Sequence, residues 1–175
     1  TNDMAKRASN WKAEIVFARA GGMETTSSNM NVSVGYVERL KQIEGVKSVV
    51  PVGRYISASS KGRWGIQQID GVPWNEFAEM NEMRLTAGRA PAAEDEVILD
   101  DRQMREEKVN LGDTVDVFGD KHYKVVGVFE PPSGARIKMS LAALQSALEA
   151  PNKCTYILVK VNDGADVNAI AAKVE

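Results

Sequence analysis

The chain has 175 residues, 43% of them hydrophobic and 26% charged, and a formal net charge of -2. This composition is typical of a globular protein and excludes extensive disorder. The basic residues are scattered and balanced by acidic ones, so nucleic acid is not an expected partner. No apolar run approaches the ~20 residues that span a bilayer. The single cysteine, Cys154, excludes an internal disulfide, and its apolar neighbours predict a buried thiol.

The first third of the chain predicts a strand, a helix and a second strand. Residues 11–20 have a short apolar centre and read as a strand, and residues 21–31 are rich in loop formers. Ser33 is the predicted N-cap of a helix that Gly45 ends. The apolar stripe of that helix comprises Tyr36, Val37, Leu40 and Ile43. A strand over residues 46–59 follows, in which Pro51 indicates an edge position or a bulge.

The middle of the chain is rich in predicted strands. Residues 63–72 alternate as a strand, and Pro73 opens a short helix over residues 74–80. A strand at residues 96–99 leads into a charged helix at residues 100–108. The turn at residues 110–113 then precedes a β-hairpin.

The register of this hairpin follows from the alternation of its side chains. A three-residue loop at residues 119–121 sets Val117 opposite Tyr123 and Val115 opposite Val125, which gives one apolar face. The same register pairs Asp116 with Lys124, and it places His122 opposite Phe118 on the polar face.

The last third predicts a helix, a strand and a helix after a Pro-Pro-Ser-Gly breaker at residues 131–134. Ser140 is the predicted cap of a helix marked by Leu141, Leu144 and Leu148, and residues 154–161 form a strand. The stripe of the last helix comprises Val167, Ile170, Ala171 and Val174. The fold class is therefore α+β. We expect residues 1–59 and 132–175 to form one split subdomain, with residues 60–131 as a β-rich insertion.

The candidates for catalysis are the carboxylates of residues 94–101 and the sole histidine, His122. No Gly-x-Ser-x-Gly elbow, zinc motif or phosphate-binding loop is present in the sequence. We favour a helix cap and first-turn charge for Asp100 and Asp101, and an exposed hairpin position for His122. We therefore expect no catalytic, cofactor or metal site. The alternative hypothesis is a free-standing envelope hydrolase or metal-dependent enzyme that uses these carboxylates and His122.

The short helix after Pro73 carries the candidate partner contacts. Trp74, Phe77 and Met80 recur at spacings of three, and Met83 follows. Such a stripe is typical of a core, and aromatic and Met side chains are also typical of adaptable contact surfaces. We favour the core for these four residues and keep them as the candidate partner-facing patch.

Four short stretches in a fixed order resemble one protein family. They are Ile43-Glu44-Gly45-Val46 with Val49-Val50-Pro51; Ile69-Asp70-Gly71-Val72; Ala87-Gly88-Arg89 with Glu96-Val97-Ile98-Leu99; and Leu111-Gly112-Asp113-Thr114-Val115 with Tyr123-Lys124-Val125-Val126-Gly127-Val128. In this order the chain resembles, over nearly its whole length, the extracytoplasmic domain of MacB-like ABC transporter permeases, a group that includes LolC, LolE and FtsX types.

The resemblance implies a membrane protein whose transmembrane helices flank this segment. It implies a split porter-like subdomain, an inserted sabre-like subdomain and a position on the extracytoplasmic side of the cell membrane. The implied partners are those helices, an ABC-type ATPase in the cytoplasm, a second permease copy or homologue, and an adaptor or other envelope protein. The implied function is non-enzymatic: the domain couples ATP-driven motion to an external substrate or partner, in efflux or mechanotransmission.

Overall fold

The computed structural model describes residues 3–7, 12–19, 30–58 and 66–174. The chain forms twelve strands and five helices within those ranges. The strands are β1 (Asp3–Arg7), β2 (Ile15–Arg19), β3 (Val32–Ser33), β4 (Val46–Ala58), β5 (Ile66–Val72), β6 (Arg84–Gly88), β7 (Glu96–Asp100), β8 (Thr114–Val117), β9 (Lys121–Glu130), β10 (Ile137–Ser140), β11 (Lys153–Cys154) and β12 (Tyr156–Val161). The helices are α1 (Tyr36–Lys41), α2 (Trp74–Asn81), α3 (Asp101–Glu107), α4 (Leu141–Ala147) and α5 (Val167–Val174).

One mixed sheet organises the described part of the chain, in the order β1-β2-β12-β4-β5-β10-β7-β9-β6, with β8 beside β9. β4 changes its partner along its length. Residues 46–52 pair with β12, and residues 53–58 pair with β5. We call β1, β2, β12 and residues 46–52 the flanking sheet. We call residues 53–58 together with strands β5 to β10 the central sheet. β3 and β11 form a separate two-stranded sheet. The predicted α+β class is confirmed.

The helices cover both faces of the sheet. α1 and α5 pack on one face of the flanking sheet against Phe17, Val49 and Val159, which alternate with residues facing the other side. α4 packs on the central sheet through Leu144. α2 lies on the opposite face. Its buried side chains belong to one hydrophobic cluster that includes Val52 of the flanking sheet and Phe129 of the central sheet. This helix therefore contacts both sheets.

Local capping explains where two helices begin. Asp100 caps α3 by accepting the N–H of Gln103, and Ser140 caps α4 by accepting the N–H of Ala143. Both predicted caps are confirmed. The cap predicted at Ser33 is wrong: Ser33 belongs to β3, its hydroxyl accepts the N–H of Gly35 at 3.1 Å, and Gly35 is the N-cap of α1. The apolar stripes predicted for α1 and α5 do face the core.

The hairpin differs from its predicted register by two residues. Its three-residue loop is residues 118–120, so Val117 lies opposite Lys121, Val115 opposite Tyr123 and Asp116 opposite His122. Phe118 and Gly119 have φ angles of 58° and 91°, so the turn uses left-handed backbone one residue earlier than predicted. Because the difference is an even number, the predicted faces remain correct, and Val117, Tyr123 and Val125 are buried.

Several segments differ from their sequence-based interpretation. β6 and β10 were not predicted as strands, because β6 is largely exposed and β10 carries a lysine between apolar residues. Pro51 lies in the part of β4 that, among the described residues, pairs with β12 alone, which agrees with the edge position, one of the two alternatives predicted for it. Parts of the predicted strands at residues 11–20 and 63–72, and most of the loop at residues 21–31, lie outside the described residues. Among the described helices, none is long and apolar enough to cross a membrane.

The division into residues 1–59, 60–131 and 132–175 stays a prediction. β1, β2, first-half β4 and β12 come from the two predicted flanks and share the flanking sheet. β10 follows residue 132 and pairs with β5 and β7 of the central sheet.

Replacing Ser140 with Ala tests the cap of α4. The free energy of unfolding should fall by about 1 kcal/mol, because the N–H of Ala143 loses its acceptor. The matched control is Ser33→Ala, which removes the hydroxyl that accepts the N–H of Gly35 in an exposed hydrogen bond and should cost less than about 0.5 kcal/mol. Urea denaturation at neutral pH measures both. Equal losses for the two variants would contradict the assigned cap.

Candidate functional site

The predicted partner-facing patch on α2 is buried within this domain. Trp74, Phe77, Met80 and Met83 have between 0% and 8% of their surface exposed. The Trp74 ring lies 5.6 Å from the Phe129 ring and 6.4 Å from the Phe77 ring, measured between centroids. The core interpretation therefore holds for these side chains, and contact with a partner stays a prediction.

A groove runs between α2 and the start of β4. It has a volume of about 510 Å³ and is lined by Glu76, Glu79 and Met80 of α2 and by residues 46–50. Lys41 and Lys160 complete the lining. Of the four predicted contact residues, Met80 lines this groove. The exposed part of α2 in this groove is acidic, and lysines are among the other residues that line it.

The carboxylates predicted as catalytic candidates are engaged in local structure. Glu96 binds the Arg89 guanidinium through both of its oxygens and accepts the N–H groups of Ala92 and Ala93 at 3.0 and 2.9 Å. These hydrogen bonds hold the pKa of Glu96 well below its usual value. Glu96 therefore orders the loop before β7.

Asp100 and Asp101 occupy the first turn of α3, as predicted. Asp100 is fully buried, and its Oδ1 atom accepts the N–H of Gln103 at 2.7 Å. The Nε atom of Arg136 lies 3.9 Å from its Oδ2 atom. Asp101 is paired with Arg105 at 3.3 Å on the helix surface. The interpretation of these two carboxylates as cap and first-turn charge is confirmed.

His122 is an exposed hairpin residue. Its Nδ1 atom lies 2.8 Å from a carboxylate oxygen of Asp116, and 73% of its side chain is exposed. His122 lines an open surface groove together with Glu94 and Asp95, whereas the engaged side chains of Glu96 and Asp100 are not among its lining. In the described part of the chain, no group of three or more metal-binding side chains is placed to hold a metal ion.

A row of charged side chains crosses the sheet where β4 passes between its two parts. Arg54 of β4 lies beside Asp70 of β5, and Asp70 lies beside Lys138 of β10 in the strand register. We call these three residues the charged row. The Arg54 guanidinium donates to the two Asp70 oxygens at 2.9 and 3.2 Å, and Lys138 Nζ donates to Asp70 at 3.2 Å.

The charged row is enclosed by aromatic rings and by the chain before β10. Lys138 Nζ lies 5.1 Å from the centre of the Phe77 ring and 5.2 Å from that of Phe129, distances that permit cation–π attraction. It also donates to the carbonyl of Ser133 at 3.1 Å. Asp70 accepts the N–H of Ala135 at 3.0 Å. The loop over residues 131–135 is therefore tied to the row.

Burial and charge pairing act in opposite directions on the pKa of each member. Burial alone would raise the pKa of Asp70, but Lys138 and Arg54 lower it from 3.8 to about 2. Burial lowers the pKa of Lys138, and the charge of Asp70 opposes that effect. The carboxylate is therefore held ionised by two cations.

The charged row was not predicted from the sequence. The available pattern was a charged residue inside each of two apolar segments, Asp70 after Ile69 and Lys138 after Ile137. A buried charge requires a partner, and these two residues are far apart in sequence. Their pairing depends on the parallel contact of β5 with β10, and β10 was not predicted.

The fold, a mixed sheet covered by helices, is similar to that of two solved domains. The periplasmic region of MacB from Actinobacillus actinomycetemcomitans superposes with a TM-score of 0.66 at 17% identity, covering 99% of this chain and 81% of that one. The extracellular domain of YknZ, a noncanonic ABC-type transporter from Gram-positive bacteria, superposes with a TM-score of 0.63 at 16% identity, covering 81% of each chain. No curated protein matches the chain in sequence.

A protein-family model matches nearly the entire chain. The model of the MacB-like periplasmic core domain matches residues 2–175. The chain belongs to this family, and it is thereby an extracytoplasmic domain of an ABC transporter permease. The resemblance drawn from the sequence motifs is confirmed.

Replacing Phe77 with Ala tests whether α2 faces the core or a partner. The free energy of unfolding should fall by about 3 to 5 kcal/mol, because the Phe77 ring is fully buried. Glu79→Ala, on the exposed side of the same helix, is the control and should change it by less than about 0.5 kcal/mol. Denaturant unfolding of the isolated domain measures both. A Phe77→Ala variant as stable as the control would indicate a surface position.

Acid titration tests the charged row. Because the folded state depresses the pKa of Asp70, its contribution is fully present above pH 3.8 and is lost as pH falls through about 2. The loss is on the order of 2 kcal/mol. The double variant Asp70→Asn with Lys138→Met should lose correspondingly less stability between pH 4 and 2.

The control for this titration is Glu96→Gln, which removes a second carboxylate whose pKa is depressed in the folded chain. This variant should keep the part of the acid dependence that Asp70 produces. Urea unfolding at a series of pH values measures all three proteins. An unchanged acid dependence in the Asp70 and Lys138 double variant would contradict the pairing.

Proposed function

We propose that this domain couples ATP-driven motion of the membrane part of the permease to a substrate or partner outside the membrane. The observation that carries the proposal is membership of the MacB-like periplasmic core domain family over residues 2–175. The movement serves either efflux or mechanotransmission. The proposed partners are flanking membrane helices of the same chain, a cytoplasmic ABC-type ATPase, a second permease copy or homologue, and an adaptor or other envelope protein.

The connectivity of the sheet supports transmission of movement through the domain. β4 contributes hydrogen bonds to β12 in the flanking sheet and to β5 in the central sheet. Because β4 is one strand that pairs in both sheets, a displacement of the flanking sheet would act on the central sheet through β4. We accordingly assign the porter-like role to residues 1–59 and 132–175 and the sabre-like role to residues 60–131.

The surroundings of the residues considered as catalytic candidates are also consistent with a non-enzymatic role. Glu96 is bound by Arg89, Asp100 caps α3 and His122 is paired with Asp116. Each of these groups has a structural partner that accounts for its position. The alternative of a hydrolase or metal-dependent enzyme gains no specific support from their arrangement.

Removing the domain from the complete permease tests the proposal. A short Gly/Ser linker replaces residues 1–175, and the variant is produced with its ATPase in a strain that lacks the permease gene. We expect ATP hydrolysis to persist and the growth or export phenotype of the deletion strain to remain, because the moving membrane part has lost its external connection. Growth under antibiotics, peptides and detergents, together with ATP hydrolysis in membranes, measures the two effects separately.

Two controls define the range of this experiment. The first control is Asp163→Asn, which changes a residue in an exposed turn and should behave as the unaltered permease. The second control is an ATPase that cannot hydrolyse ATP, which should behave as the deletion strain. Full complementation by the permease without the domain would contradict coupling through this domain.

A further inference from the structure

β4 is the structural joint between the two sheets in the described part of the chain. Its pairing changes between Val52, which lies opposite Tyr156 of β12, and Gly53, which lies opposite Gly71 of β5. Neither Gly53 nor Gly71 carries a side chain that crosses this point. Side chains next to the change of partner are therefore the ones placed to contact both sheets.

Arg54 is the first charged residue after this change, and it contacts both sheets. Its guanidinium binds the Asp70 carboxylate of the central sheet through two hydrogen bonds. Its Cζ atom lies 5.3 Å from the ring centre of Tyr156 in the flanking sheet. Its backbone N–H donates to the hydroxyl of Thr155, immediately before β12, at 2.9 Å. Arg54 therefore connects the two sheets through contacts of its backbone N–H and of its guanidinium.

The remainder of the charged row anchors Arg54 from the other side. Asp70 is held by Lys138 of β10 and by the N–H of Ala135. Gly134 lies directly over the carboxylate: a Cβ atom there would be 3.0 Å from Asp70 Oδ2. Lys138 and the N–H of Ala135 therefore hold the Asp70 carboxylate in place. The Arg54 guanidinium, which binds both carboxylate oxygens, is oriented by it.

We propose that the charged row is a clamp that fixes the angle between the flanking sheet and the central sheet. A buried ion cluster is a weak source of net stability, since apolar residues of similar volume often hold a core equally well. A guanidinium and a carboxylate joined by two hydrogen bonds add a defined relative orientation that apolar contacts lack. The clamp is inferred from geometry and does not depend on the proposed coupling function.

The experiment measures the distance between one site on each sheet. Cysteines replace exposed Asp163, after β12, and exposed Asp120, in the β8–β9 loop, and spin labels report their distance distribution in the 175-residue chain. Native Cys154 is buried, and burial raises the pKa of its thiol to about 12, so labelling is confined to the introduced sites. The test variant is Arg54→Met with Asp70→Leu and Lys138→Met.

We expect this triple variant to keep the thermal midpoint of the unaltered protein while its distance distribution broadens or its maximum shifts. The matched control is Arg89→Met with Glu96→Gln, which removes an ion pair lying at the central sheet and should leave the distribution unchanged. An unchanged distribution in a folded triple variant would overturn the clamp. Equal broadening in the control would also overturn it, because the effect would then be general softening.

A conservative variant covers the case in which the triple variant does not fold. Arg54→Lys keeps the charge but loses the second hydrogen bond and the planar contact with Tyr156. We expect a broadened distribution from this variant with little change in the thermal midpoint. A distribution as narrow as that of the unaltered protein would overturn the proposal.

Discussion

The contact on which the register of β4, β5 and β10 depends is that of Asp70 with Arg54 and Lys138. The three side chains lie on neighbouring strands, and two of them have no exposed surface. Each charge would be costly to bury alone, so every member requires the others to be in place. The row therefore ties the order β4-β5-β10 to one specific register, because a shift by one residue would move a charge to the opposite face.

The two faces of the sheet at this joint are built in contrasting ways. On one face, the charged row and the rings of Phe77 and Phe129 fill the space beneath α2. On the other, Gly71 leaves α4 in direct contact with the backbone, since a Cβ atom there would be 2.6 Å from the Cβ atom of Leu144. The joint therefore has directed polar contacts on one face and close packing of α4 against the backbone on the other.

Features that depend on residues close together in sequence, such as helix caps and apolar stripes, could be predicted from local sequence patterns. The caps at Asp100 and Ser140 and the stripe of α5 each depend on residues within a few positions, and all three were confirmed. The faces of the hairpin were predicted correctly, but its register was not, because two registers with the same alternation differ only in which residues adopt left-handed backbone. Contacts between distant segments had no such local pattern, so β10 and the charged row were missed.

The same distinction explains why the carboxylates between Glu94 and Lys108 suggested chemistry more strongly than the folded chain does. Proximity in sequence groups them, whereas the fold separates Glu96, at the start of β7, from Asp100, at its end, and gives each a different partner. The charges that the fold does bring together, Arg54, Asp70 and Lys138, come from three separate strands and bind one another. Their mutual pairing across three strands fits the proposed role of the charged row in orienting the two sheets.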